Sequence, residues 1–208
     1  MSTSDKNELL SLIYHYYPRR CSFGSHEYET SDEYSRYMNI INDVTMRKKI
    51  NNKIFPEIAK CADGYCVMLR KHSDYSCYPG IQYTMLLHKN KPIMDDDVDL
   101  ILSLNGRRLD LELYFSLLED YFYYYIIETV GGKDTLAWSF SVLTNEQIPH
   151  QERELIDTLC SKAFSLGFKL LPRNLARVVV PEVETELIDS DEVTIFNCLF
   201  SGMDTHYY

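Results

Sequence analysis

Basic residues disappear from one end of this 208-residue chain: after Arg177 the final 31 positions contain no Lys or Arg. Long apolar runs are missing as well. The longest, residues 121–127, falls far short of the roughly 18 apolar residues that a membrane span requires. The chain opens with Asp5 and Glu8 before a short apolar run, without the basic segment, apolar core and small-residue cleavage site of a secretory signal. These absences predict a cytoplasmic protein with no membrane association. Catalytic signatures are lacking too: there is no G-x-S-x-G, P-loop or G-x-G-x-x-G. The six histidines never fall at H-x-x-x-H or H-E-x-x-H spacing, and Cys61-x₄-Cys66 has no second pair to complete a zinc site. A thiol–imidazole pair assembled in space, such as Cys77 with His88, stays open. No cofactor or metal is expected.

What is present is acid. Against 21 Lys+Arg stand 31 Asp+Glu, a formal charge of −10, which excludes a protein whose main task is gripping nucleic acid or an anionic membrane. The imbalance is concentrated. Residues 1–91 carry a net +3 and residues 92–208 a net −13. With 45% hydrophobic residues the chain can bury a core, so disordered and linker classes are excluded and one domain spanning 1–208 is expected. A chain of this size needs no disulfides, so the six scattered cysteines read as reduced and mostly buried.

Hydrophobic periodicity outlines the fold. Residues 8–17 read as a strand stopped by Pro18. Thr30 and Glu33 form a capping box opening a helix over about 31–55, with a break at Pro56. The period then changes to two: residues 66–70 and 81–87 read as strands, followed by 99–104 and 107–115 around Asn105-Gly106. Residues 122–130 and 135–143 flank Gly131-Gly132 as a further hairpin. A helix begins at Pro149 and ends at Gly167, and residues 193–200 read as a last strand. That order predicts an α+β domain: an antiparallel meander sheet with two principal helices packed on one face.

Three clusters stand out as candidate sites. Asp95, Asp96, Asp97 and Asp99 are either a solvated loop or a hard-cation site, though they do not match an EF-hand. Alternation in an extended segment places Glu182, Glu184 and Glu186 on one face with no base nearby, and Asp189, Asp191 and Glu192 follow. Such a row either protects an edge strand or presents a surface to a basic partner. Tyrosine is abundant, 17 against nine Phe and one Trp. Tyr121, Tyr123 and Tyr125 share one strand face, opposite Phe122, Tyr124 and Ile126, and form either core or contact surface. Arg47, Lys48, Lys49 and Lys53 read as a solvated helix face.

Several motifs point further: Tyr16-Tyr17-Pro18, Ser31-x-Glu33-Tyr34-x-Arg36, Gly167-Phe168 before Leu171-Pro172, 180–187 and 194–200. Together they resemble small acidic bacterial immunity proteins, the inhibitors encoded beside polymorphic or contact-dependent growth inhibition toxins. The resemblance covers both ends and the first helix and implies no catalytic residues. It implies a stoichiometric inhibitor of a cognate toxin domain, one expected to be basic and nuclease-like. The partner-binding residues are then the two acidic clusters and Tyr121, Tyr123 and Tyr125. A metal-assisted hydrolase built on Asp95, Asp97 and Asp99 and a generic acidic adaptor are the alternatives.

Overall fold

A computed structural model describes residues 3–69, 78–91, 97–132 and 135–201. The helices in chain order are α1 (Thr3–Ile13), α2 (His26–Glu29), α3 (Asp32–Ile41), α4 (Val44–Cys61), α5 (Asp97–Ser103), α6 (His150–Ser165), α7 (Arg173–Ala176) and α8 (Ile195–Leu199). The strands are β1 (Cys66–Leu69), β2 (Gly80–Leu86), β3 (Arg107–Ser116), β4 (Tyr121–Gly132), β5 (Thr135–Val142) and β6 (Lys169–Leu170). Strands β1 to β5 form an antiparallel meander in chain order, and the short β6 adds in parallel to the start of β4. The protein is therefore an α+β domain built on a meander.

Two layers cover the sheet. The odd positions of β2 and β3 and the even positions of β4 point to one face, where Tyr83, Phe115 and Phe122 are all but sealed from solvent. The long helices α4 and α6 pack there: Phe55 stacks on Tyr83, and Phe164 meets Phe122 edge-on. The opposite face carries short helices. Leu100 of α5 clusters with Leu86 of β2, and Phe196 and Phe200 of the α8 segment pack against Tyr114 and Tyr123. Helix α1 lies behind α8, and the buried Tyr17 hydroxyl donates to the Cys198 carbonyl at 2.9 Å.

Several elements differ from the sequence expectation. Residues 8–17, expected as a strand, belong mostly to α1. The helix expected over 31–55 is two helices separated at Asn42-Asp43, while Pro56 lies inside α4. Its cap is Ser31, which accepts the Tyr34 N–H, rather than Thr30. Residues 99–104 and 193–200, both expected as strands, are largely α5 and α8. Their apolar runs are too short for period two and period 3.6 to be told apart. Asn105 and Gly106 do take positive φ, 58° and 83°, but they end α5 instead of turning a hairpin. The five described cysteines are free, and among them only Cys198 is buried. Arg47 is not simply solvated, for its guanidinium donates to the carbonyl of Tyr78 at 2.9 Å.

Candidate functional site

The acidic segment folds as a closed loop, not as an extended strand. Val179 pairs with Thr194 across its neck, and the Val180 N–H donates to the Val193 carbonyl at 2.8 Å. Val183 and Ile188 turn inward and are buried, which fixes the loop to the core. A loop over 181–192 whose ends meet and whose own side chains fill it is held as a unit. Glu182 has φ +64°, so the strict alternation expected of an extended chain fails at its first residue.

Nor is the row free of bases. The Arg20 Nε donates to Glu182 Oε1 at 2.7 Å, the Arg20 N–H donates to the Glu182 carbonyl, and Arg19 approaches at 3.7 Å. Glu184 accepts the Phe23 N–H at 3.0 Å, while its carbonyl accepts the Tyr28 hydroxyl. Both glutamates are half-buried and pin the loop to residues 19–28. Being partly exposed, the Arg20–Glu182 pair contributes at most about 1 kcal/mol. The remaining acids behave differently. Glu186, Asp189, Asp191 and Glu192 are exposed, and among the described residues none has an ion-pair partner. Leu187, flanked by Glu186, is 51% exposed. The loop therefore carries four exposed carboxylates and one exposed apolar side chain on a fixed backbone.

The other expected residues do not join it. Tyr123 and Tyr125 are 2% and 6% exposed, under Phe196 and Phe200, so they are core and not contact surface. The Tyr125 hydroxyl lies 3.0 Å from that of Tyr114. Tyr121 is half-buried, with Lys169 Nζ 5.9 Å from its ring centre, and burial followed by the nearby Glu8 pushes its hydroxyl up. Asp95, Asp96 and Cys77 lie outside the described residues. Asp99 is exposed on α5, a helix that begins at Asp97, so this part of the cluster is not a loop. Among the described residues no three His, Cys, Asp or Glu side chains gather to hold a metal ion.

Sequence reasoning passed over a buried polar strip on the face shared by α5 and α8. Arg108 and Asp110 form an ion pair at 2.6 Å, each under a tenth exposed. Glu112 accepts from Gln82 Nε2 at 2.8 Å and from the Thr84 hydroxyl at 2.8 Å. Alternation with Leu109, Leu111 and Leu113 marked these as one face of β3, and an alternating polar face usually reads as solvated. Its burial by short helices was not legible. Comparison with protein-family models, with curated proteins and with solved structures finds no match for the chain.

Proposed function

We infer that the chain binds a basic protein domain stoichiometrically and neutralises it, in the manner of an immunity protein holding its toxin. The observation that carries this reading is the pinned loop at 181–192, on which Glu186, Asp189, Asp191 and Glu192 have no ion-pair partner among the described residues and Leu187 is exposed. A pre-fixed loop loses little conformational freedom on docking, and unpaired surface carboxylates accelerate encounter with a cationic partner. Leu187 supplies the apolar centre that charge alone lacks. The skew of −13 over residues 92–208 adds a field of the same sign. Glu182 and Glu184, contact residues on sequence grounds, serve this surface by fixing its shape. Tyr123 and Tyr125 serve it only as core.

The experiment is co-expression with the basic toxin domain that this reading expects in the neighbouring open reading frame. Rescue of growth by the wild-type chain is expected. It should weaken when Glu186, Asp189, Asp191 and Glu192 are together changed to Gln or Asn, while the variant stays folded. Full rescue by that variant would refute the role of the loop.

A further inference from the structure

Strand β5 ends the sheet on one side, and its outer edge meets no other strand among the described residues. The Leu143 N–H donates to the Ile126 carbonyl, so Ser141 and Ser139 also turn their backbone groups toward β4. The N–H and C=O of Trp138, Phe140 and Val142 therefore point to the open edge. The register irregularity against β4 lies at Gly131/Gly132, beyond Trp138. Natural edge strands are usually guarded by charge, proline or a bulge. Residues 135–142 hold no Asp, Glu, Lys, Arg or Pro, although a quarter of the whole chain is charged.

The side chains add an apolar face to this edge. Phe140 is 55% exposed. Trp138, the single tryptophan, is half-buried, with its ring 3.6 Å from where a Cβ on Gly131 would stand. Both lie on one face of β5, while the small, exposed Ser139 and Ser141 lie on the other. Charge selects the occupant. An uncharged strand offers a basic domain nothing, whereas the four exposed acids of the 181–192 loop suit it. Two copies of this chain carry −10 each and repel over most of their surface, but along β5 no like charges oppose each other.

We propose that β5 pairs with β5 of a second copy of this chain, antiparallel about a two-fold axis through Ser139. Trp138 then stands opposite Phe140 of the second copy, and Phe140 opposite its Trp138. The aromatic pair forms twice, on one face of a sheet that runs through both copies. Trp138 and Phe140 occupy hydrogen-bonded positions, and the Ser139 pair on the axis is a non-hydrogen-bonded one. Within β5 this register overlaps residues 136–142. An axis at Phe140 shortens the overlap to 138–142, and an axis at Trp138 leaves Val142 without a partner. One strand from each copy makes a small contact, so the dimer is weak, with a Kd of roughly 1–100 µM.

The test uses the full chain alone and no toxin, so its outcome is separate from that of the docking loop. Sedimentation equilibrium from about 1 to 500 µM should show monomer passing to dimer. Trp138 emission should move to longer wavelength on dilution, as the ring loses Phe140 of the second copy. Ser139→Asp and Ser139→Lys each set like charges opposite each other, and each should raise the Kd about fivefold or more. An equal mixture of these two variants should recover association, because opposite charges then face each other across the axis. A wild-type chain that stays monomeric at about 500 µM would overturn the proposal. So would a dimer whose Trp138 emission ignores dilution, or a mixture that associates no better than either variant alone. The wild-type readings stand even if a variant fails to fold.

Discussion

An alanine Cβ at Gly80 would stand 2.5 Å from the Phe200 carbonyl oxygen and 2.9 Å from its Cα, so the start of β2 and the end of the α8 segment touch backbone to backbone. At Gly167 the same Cβ would meet nothing within 4 Å, but φ is +95°. The two glycines are thus required for different reasons, one for space and the other for conformation. Gly167 closes α6 by a Schellman arrangement, with the Phe168 N–H on the Ala163 carbonyl and the Gly167 N–H on the Phe164 carbonyl. Gly80→Ala should destabilise by about 1–3 kcal/mol, since rigid backbone must shift. Gly167→Ala should cost about 1–2 kcal/mol through its φ alone. Urea midpoints check both, and asparagine separates them: it should recover part of the loss at position 167 but none at position 80. Equal recovery at the two sites would contradict this assignment.

Two of the misread elements, α5 and α8, are too short to show a period, and at α8 the cap held the missing signal. Helix α8 is five residues long, rich in apolar side chains, and begins with a reciprocal cap: Thr194 Oγ1 accepts the Asn197 N–H, and Asn197 Oδ1 accepts the Thr194 N–H at 2.9 Å. Thr194→Val keeps shape and loses the cap, and should cost about 1–2 kcal/mol by urea unfolding, with Thr194→Ser close to wild type. The meander strands β1 to β4 and α6 stand where periodicity placed them, and β4 pairs with β5 as expected, but Gly131 and Gly132 lie in β4, paired with Trp138 and Thr135, instead of forming the turn. The Asn105-Gly106 pair shows the limit, because left-handed residues end helices as readily as they turn hairpins. At the end of β2, His88 Nε2 accepts the Leu109 N–H at 3.2 Å, and burial holds the imidazole below its usual value of 6.5, against the opposing pull of Glu152. The folded state therefore binds its proton at lower pH than the unfolded chain. The contribution is complete above pH 6.5 and declines as pH falls below it toward the folded value. Unfolding midpoints at about pH 7.5 and 5.5 should differ more in the wild type than in His88→Gln. Identical slopes would exclude His88 as their source.

Across the whole molecule the decisive feature is where charge is satisfied and where it is not. The sequence displayed the acids but not their partners, because Arg20 and Glu182 lie 162 residues apart and meet only through the fold. Nor could spacing separate the glutamates that tie the loop down from the acids that stay free, since that division depends on the turn at Glu182. Tyr123 and Tyr125 were equally ambiguous, because either strand face could be core until α8 was seen to cover one of them. The resulting division assigns anchoring to Glu182 and Glu184 and, under the proposed function, docking to Glu186, Asp189, Asp191, Glu192 and Leu187. The most direct measurement is the stopped-flow association rate with the proposed basic partner domain, at about 50 and 500 mM salt. The rate should fall with salt for the wild type. At low salt, neutralising the four free acids should slow association about tenfold or more, whereas Glu182→Gln should leave it nearly unchanged. A four-site variant that associates as fast as the wild type at low salt would contradict the assignment of this loop as the docking surface.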